Sequence, residues 1–359
     1  MKVINPALKY RTQNYLANLF YLSLAVFFYL NNKYYQQDLT METKITLKSI
    51  LVFYVIYGLI YNFLIPLEKL TISKGMELTL ALKKSYYYMK KLTDKKHYLN
   101  IHHQDEVSAL KPTKTEKNIM LFTLVKLFFL PLMINFFFIN FKWLLDAFSQ
   151  WQQKNFEVSI ISFNNSIFPL LLAIFIITDV SFFIFGYTTE SALLKNKIRS
   201  VEPTALGWFV ALICYPPFNS IIGNYVSWYA NDFNVFNVPI YDFILKIVEV
   251  ILWLVYCWAS IALGSKCSNL TNRGIVAKGP YKYIRHPAYI SKNSAWALST
   301  LPLLVDSTFS QIIAILCSLI FWGFIYYMRS VTEERHLSQD PDYLEYCQKV
   351  PYRFIPKLI

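Results

Sequence analysis

Charged residues are scarce in this chain. Only 16% of its 359 residues are Asp, Glu, Lys or Arg, whereas 55% are hydrophobic and 18% are aromatic. A soluble domain usually has about 25% charged residues. The composition therefore argues against a soluble globular protein.

Cysteine pairs are missing as well. Five cysteines are spread along the chain and none belongs to a CxxC pair, so the sequence indicates neither a disulfide framework nor a thiolate metal site. His97, His102 and His103 lack cysteine or acidic partners at ligand spacing, and we predict no metal site. The first apolar run lacks a small-residue cleavage site, which predicts an uncleaved first helix.

The apolar residues form runs long enough to cross a bilayer, because a spanning helix needs roughly 20 such residues. Pro216-Pro217 interrupts one of these runs. The predicted fold class is all-α, a polytopic bundle of transmembrane helices. We predict eight spans, centred on 14–31, 46–66, 119–140, 166–187, 206–226, 242–263, 288–306 and 308–328.

The formal charge of +13 is distributed unevenly. The N-terminus, the tail and the loops predicted for the same side hold 27 Lys and Arg, and the opposite loops hold 4. The positive-inside rule places both termini in the cytoplasm. The basic charge thus reflects membrane topology, and we expect no nucleic-acid partner. The expected location is an integral, multi-pass position in a bacterial inner membrane rather than in the endoplasmic reticulum.

Polarity divides the chain into two predicted regions. Residues 1–240 form an N-terminal transmembrane region with a basic cytoplasmic insert at 67–118, and residues 241–359 form a C-terminal domain with a cytoplasmic tail. The insert contains a segment with apolar residues on one helical face. That segment is either an interfacial helix on anionic lipid or an ordinary solvated helix.

Few charges interrupt the predicted spans. Lys126 and Asp179 are costly in lipid and should face a partner or a cavity, most simply as structural pairs. Lys292 and Asn293 differ, because they lie in the first turns of the seventh predicted helix, directly after a polar motif.

That motif is "GPYKYIRHPAY", residues 279–289. Proline suits the first position of a helix and restrains the residue before it, so we expect a helix to start at Pro287 with His286 near its N-cap. Its unpaired N–H groups, together with Arg285, would suit a carboxylate or phosphate. Flat faces for an aromatic base or a cation come from Tyr281, Tyr283 and Tyr289.

A second polar group follows the last span. If the eighth helix continues beyond the bilayer, Arg329, Glu333 and His336 share one face, and Glu334 flanks it. The short turn between the last two spans makes them antiparallel neighbours, so both polar groups meet at one membrane edge. S-adenosylmethionine, with its carboxylate, positive centre and adenine, would match these features. The alternative is a basic membrane anchor beside a solvated helix face.

The two groups together resemble the isoprenylcysteine carboxyl methyltransferase family and its bacterial and phospholipid-methyltransferase relatives. The resemblance covers roughly the last third of the chain. Its motif residues are Gly279, Tyr281, Arg285, His286, Pro287 and Tyr289, then Glu333-Glu334, Tyr343, Tyr346 and Val350-Pro351.

The resemblance implies an integral membrane methyltransferase whose tail caps an S-adenosylmethionine pocket. The implied acceptor is a lipid-embedded or amphiphilic carboxylate or amine that enters between helices. By carry-over, Arg285 and His286 would serve the carboxylate or nucleoside end of the cofactor, and Glu333 or Glu334 its amino or ribose groups. Ser291 departs from the glycine that relatives usually have there. The implied cofactor-binding residues are Gly279, Tyr281, Arg285, His286, Pro287, Tyr289, Glu333 and Glu334.

Candidate catalytic residues are Arg329, Glu333 and Arg353, and either arginine could orient an acidic acceptor. A carboxylate acceptor needs no general base. An amine or hydroxyl would need one, and the candidates are His286, His336 or a glutamate.

Two other functions fit parts of the pattern. One is an NADPH-dependent membrane reductase of the sterol-reductase type, whose cofactor phosphate would bind several basic residues. The other is a non-enzymatic transporter or scaffold. The basic residues in question are Lys266, Arg273, Lys278 and Lys282.

Overall fold

The structure is a computed structural model that describes residues 5–93, 108–305 and 307–357. The three histidines considered above as metal ligands, at positions 97, 102 and 103, lie outside the described residues. The chain forms two compact units, residues 1–132 and 133–359.

The described residues of the first unit form the helices α1 (Pro6–Asn31), α2 (Lys33–Asp38), α3 (Met41–Leu64) and α4 (Lys74–Thr93) and the start of a longer helix. α1 begins after Asn5, whose side chain accepts a hydrogen bond from the backbone N–H of Ala7. α1 packs against α3 and α4. α4 gives part of the predicted basic insert a helical structure, as expected.

The longest helix, α5 (Lys114–Gln153), has 40 residues and contains Pro131. The boundary between the two units lies within it. α6 (Phe168–Thr188) continues from a π-helical turn at Phe163–Ile167.

The predicted fifth span is broken into α7 (Ala205–Leu212) and α8 (Phe218–Gly223). Pro216-Pro217 lies between them, and proline has no N–H to continue a helical hydrogen-bond ladder. The expected interruption is confirmed, but the pieces are shorter than a membrane span.

The remaining helices of the second unit lie before the motif, between the motif and the tail, and in the tail. α9 (Pro239–Leu263) ends at Gly264, whose φ of +56° favours glycine. α10 (Pro287–Leu298) and α11 (Leu301–Val305) replace the single helix predicted over 288–306. Pro302, near the start of α11, explains the division that the sequence analysis missed. The last helices are α12 (Phe309–Leu337) and α13 (Pro341–Lys349).

A short antiparallel ladder qualifies the all-α prediction. β1 (Ser200–Val201) pairs with β2 (Thr271–Asn272). The ladder joins two loops that flank the motif, while helices dominate the described residues.

Five helices among the described residues are long and apolar enough to cross a membrane. This finding supports an integral membrane protein. The first predicted span coincides with α1, which is not one of the five, and the fifth and seventh are the divided ones. The count of eight and the cytoplasmic termini stay predictions. The five segments are Met41–Leu64, Ser108–Gln153, Ile160–Thr188, Pro239–Lys266 and Phe309–Leu337.

Candidate active site

A cavity of about 200 Å³ in the second unit collects most of the predicted site residues. Its wall includes α9, α10, α12 and the loops that carry β1 and β2. Among the described residues, Gly279, Pro287, Glu334 and Arg353 do not line it. The predicted residues that line it are Tyr281, Arg285, His286, Tyr289, Arg329 and Glu333.

The two ends of the motif shape the backbone. Gly279 has φ of +59°, and a Cβ there would come within 2.9 Å of the Ala262 Cβ. Both the dihedral angle and the close packing therefore require glycine. α10 begins at Pro287 with His286 at its N-cap, as predicted. The His286 side chain does not cap the helix and turns instead to a carboxylate.

That carboxylate is Glu334, which is bound on both oxygens. Arg285 Nε and His286 Nε2 lie 2.8 Å and 3.0 Å from Oε1, and an Arg353 amino group lies 2.6 Å from Oε2. We call these four residues the Glu334 network. Its hydrogen bonds and charge raise the pKa of Arg353 above its usual range. The side-chain contacts of Glu334 thus join the motif to the tail.

Backbone pairing strengthens the same connection. The N–H groups of Arg285 and His286 donate to the carbonyls of Tyr352 and Arg353, both at 2.9 Å. The Arg285 guanidinium also donates to the Pro351 carbonyl at 2.6 Å. Several independent bonds therefore hold residues 350–353 against the motif.

α13 docks on the motif through tyrosines. Tyr343 and Tyr346 are buried and pack with Val350, Ile275 and Tyr281. The Tyr346 hydroxyl donates to the Tyr281 carbonyl at 2.8 Å. The tail therefore closes one side of the cavity, as the family resemblance implied.

An ion pair fixes the start of α13. Arg199 lies 2.8 Å from Asp340 and 2.5 Å from Asp342, and Asn272 donates to Asp340 at 2.8 Å. Burial alone would raise the pKa of Asp340. The hydrogen bonds from Arg199 and Asn272 outweigh burial, and the pKa is lowered. The ladder loops and the tail are thus coupled electrostatically.

Glu333 lies on the cavity side of the Glu334 network: its Oε2 is 3.9 Å from His286 Nδ1, and its side chain is 45% exposed. The Tyr289 hydroxyl donates to Glu333 Oε2 at 2.8 Å. The Tyr289 ring stacks on the His286 ring, with centroids 5.2 Å apart. Adjacent glutamates therefore point in different directions, one to the tail and one to the cavity.

Arg329 is the most distinctive lining residue, since it is only 7% exposed. Its guanidinium lies 5.2 Å from the ring centres of both Tyr289 and Tyr326. Its hydrogen bond goes to the Asn269 side-chain oxygen at 3.2 Å. No carboxylate of the described residues forms an ion pair with it. A buried cation of this kind favours an anionic ligand.

Two histidines were possible general bases. His286 belongs to the Glu334 network. His336 is buried in the cavity wall, with its Nε2 2.8 Å from the Ser200 hydroxyl. Both rings are therefore engaged in contacts within the protein.

The cavity also contains residues to which the sequence analysis gave no role. Asp179 and Tyr256 line it, and Lys292 lies beside them. The sequence did indicate that Asp179 was costly in an apolar span, and that Lys292 lay in the first turns of a helix directly after the motif. It could not show that α6, α9 and α10 bring them together.

The basic residues suggested for an NADPH phosphate do not converge at the cavity. Lys266 and Arg273 line it, whereas Lys278 and Lys282 do not. The Arg273 guanidinium already donates to the Asn196 carbonyl at 2.8 Å and to Ser268 at 3.0 Å. Among the described residues, no group of three or more His, Cys, Asp or Glu is placed to hold a metal ion.

Residues 243–339 match the model of the isoprenylcysteine carboxyl methyltransferase family. The matched segment runs from α9 to just beyond α12 and includes the motif, Arg329 and both glutamates. The resemblance suspected from the motif is confirmed for this part of the chain, and it supports a membrane methyltransferase. No curated protein matches the chain.

Proposed function

We propose that this protein is an S-adenosylmethionine-dependent methyltransferase that acts on a lipid-embedded or amphiphilic acceptor. The observation that carries the proposal is Arg329, a buried guanidinium that has no carboxylate partner among the described residues and lines a cavity closed by the tail. It lies in the segment that matches a methyltransferase family.

The residues of the cavity fit this cofactor. Arg329 offers unpaired donors to a carboxylate. Glu333 offers carboxylate oxygen to an amino or ribose group, because its side chain is 45% exposed. Tyr281 and Tyr289 supply aromatic faces beside these charges, and such faces suit both an adenine and a sulfonium.

When bound, the cofactor would supply a methyl group on a sulfonium: a lone pair of the acceptor would form the new bond to the methyl carbon as the carbon–sulfur bond breaks, and sulfur would keep that electron pair. The protein contributes alignment of the two reactants and exclusion of water from the cavity. Alignment of two reactants supplies about 7–11 kcal/mol. The docked tail excludes water from the cavity, and Arg329 holds an anionic group in place.

The charged residues then divide into two roles. The Glu334 network holds the tail over the cavity, because its hydrogen bonds join the motif to residues 350–353. In this proposal its residues support the cofactor site without touching the reacting atoms. Among the site residues predicted from the sequence, those that touch cofactor or acceptor are Tyr281, Tyr289, Arg329 and Glu333.

A second cavity supports an amphiphilic acceptor. It has a volume of about 230 Å³ and is walled by Trp228, Trp296 and Trp322. Trp296 also packs on Tyr326, with ring centres 5.7 Å apart, and Tyr326 lines the first cavity. A hydrocarbon chain in the tryptophan-walled cavity would lie next to the cofactor site. By the topology expected from the sequence, the reaction takes place at the cytoplasmic edge of the membrane.

The proposal is tested with membranes that contain the protein and S-adenosylmethionine with a tritiated methyl group. We expect labelled methyl in the lipid extract and a product 14 mass units heavier than the acceptor. Arg329→Met should reduce the incorporation at least about 30-fold, because loss of a buried charge contact costs about 2–5 kcal/mol. Full incorporation by Arg329→Met would show that the site is misplaced. Absence of label with the wild-type protein would contradict the proposed activity.

A further inference from the structure

Lys292 has a charge that the protein does not neutralise by contact. Its ammonium lies 4.6 Å from the Trp296 ring centre and 5.4 Å from that of Tyr256, and it lines the proposed site. No hydrogen bond or ion pair joins it to any of the described residues. A partly buried ammonium has three donors to satisfy, so this arrangement requires an explanation.

A lysine in α9, the helix that precedes the motif, shows how a lysine with a structural role is bound in this protein. Lys246, also in a predicted span, lies 2.9 Å from Asp242 and 3.1 Å from the Asn164 carbonyl. It is only 2% exposed. Lys246 therefore has an ion pair and a hydrogen bond and lines neither of the two cavities, whereas Lys292 has no such bond to the described residues and lines the first cavity.

Asp179 is the acid that would be expected to pair with Lys292. Its two carboxylate oxygens already accept hydrogen bonds, from the Tyr256 hydroxyl at 2.8 Å and from the Ser260 hydroxyl. Asp179 is thus held against α9, and Lys292 keeps its donors for the cavity. A second cation, Arg329, faces the same space across Tyr326, 5.2 Å from that ring centre.

We propose that Lys292 binds the acceptor, and that the acceptor is an amphiphile with an anionic oxygen group at this position. The inference rests on the proposed methyltransferase function. Lys292 lies one helical turn beyond Tyr289 along α10, away from the motif and the tail. An ammonium among aromatic rings attracts an oxygen anion and repels a protonated amine. The part of the acceptor that lies here is therefore not plain hydrocarbon.

Each of the two cations, Arg329 and Lys292, then binds a separate anionic group. Arg329, next to Tyr289 and Glu333, binds the carboxylate end of the cofactor or the reacting group. Lys292 binds an oxygen of the acceptor. Asp179, held by two hydroxyls, keeps the ammonium oriented from a distance without competing for its donors. Residue 179 lies outside the family match at 243–339, so this binding point combines the matched segment with a helix that precedes it.

Binding of probes with a bromine at the far end of the chain tests the assignment: when the head group lies at Lys292, the chain enters the tryptophan-walled cavity, and the bromine quenches tryptophan fluorescence there. The probes are 12-bromododecanoate, 12-bromododecanol and 12-bromododecylamine, titrated into the full-length protein in nonionic detergent. The neutral variants are Lys292→Gln and Lys292→Met, and Lys292→Arg conserves the charge. Lys282→Gln is the matched control, because Lys282 is an exposed lysine of the motif outside the cavity wall. Binding of S-adenosylhomocysteine is measured on the same samples.

We expect the wild type and Lys282→Gln to bind the carboxylate at least tenfold more tightly than the alcohol or the amine. Both neutral variants should lose this preference and keep their affinity for S-adenosylhomocysteine, and Lys292→Arg should retain it. An unchanged preference in the neutral variants, or tighter binding of the amine, would refute the role of Lys292. A wild type that does not bind S-adenosylhomocysteine would refute the proposed function itself.

Discussion

At the scale of single residues, Glu333 and Glu334 show how neighbours on one helix acquire separate roles. Successive residues of an α-helix point about 100° apart. Glu334 therefore reaches Arg285, His286 and Arg353, while Glu333 faces the cavity beside Tyr289. The sequence alone does not indicate which of the two glutamates contacts the tail and which lines the cavity.

The division predicts different results for two matched variants. Glu334→Gln removes the charge from a network whose central side chain is only 11% exposed. Breaking such a buried pair costs about 3–5 kcal/mol, so the tail should be released. Trypsin should then cleave after Lys349 and Arg353 at least tenfold faster than in the wild type. Binding of S-adenosylhomocysteine should weaken as well.

Glu333→Gln is the companion variant. It should weaken binding of S-adenosylhomocysteine and leave the rate of tail cleavage as in the wild type, because the Glu333 side chain contacts Tyr289 and His286 of the motif. Equal tail cleavage in both variants would contradict the assignment of Glu334 to the tail. Unchanged binding in both would contradict the cofactor site.

The site was predictable from the sequence at the level of segments. The motif and the glutamates carry an ordered pattern, and antiparallel helices had to bring them together. Which glutamate faces the cavity depends on helix rotation, and the positions of Asp179 and Tyr256 depend on packing between distant helices. Neither follows from local sequence.

At the scale of elements, the tail helix α13 depends on an ion pair that is sensitive to acid. Arg199 and Asn272 hold Asp340, and the pKa of this carboxyl is lower in the folded protein than its ordinary value of 3.8. A lowered pKa means that the unfolded or undocked state binds protons more readily. The stabilisation is complete above about pH 4 and is lost as the pH falls through the lower, folded pKa.

Hydrogen exchange of the α13 amides, measured from pH 3 to 7 and corrected for the intrinsic rate, checks this dependence. In the wild type, protection should be constant above about pH 4 and decrease below it. Asp340→Asn should start with lower protection and lose most of the decrease on the acid side. An identical acid dependence in Asp340→Asn would show that another group controls docking of the tail.

Two breaks between helices show where sequence reasoning succeeds and where it fails. Pro216-Pro217 predicted the break between α7 and α8, because paired prolines interrupt a helix directly. The break between α10 and α11 was missed, although Pro302 follows it closely. The surrounding apolar composition masked that proline, since long hydrophobic runs are read as continuous spans.

At the scale of the whole molecule, composition indicated the class of protein and little of its arrangement. Scarce charge and long apolar runs predicted a helical membrane protein, and five described helices are suited to cross a bilayer. Composition does not show how divided helices pack. Unlike α-helical spans, the β1–β2 ladder has only two residues in each strand, too few to leave a periodic pattern.

The central claim is that the motif, α12 and the tail form a binding site for S-adenosylmethionine. Its most direct test is calorimetric titration of the purified full-length protein in detergent with S-adenosylmethionine and, separately, with NADPH. The account predicts saturable binding of S-adenosylmethionine with one site per chain, at least tenfold weaker in Arg329→Met, and no binding of NADPH. Binding of NADPH without binding of S-adenosylmethionine would contradict it.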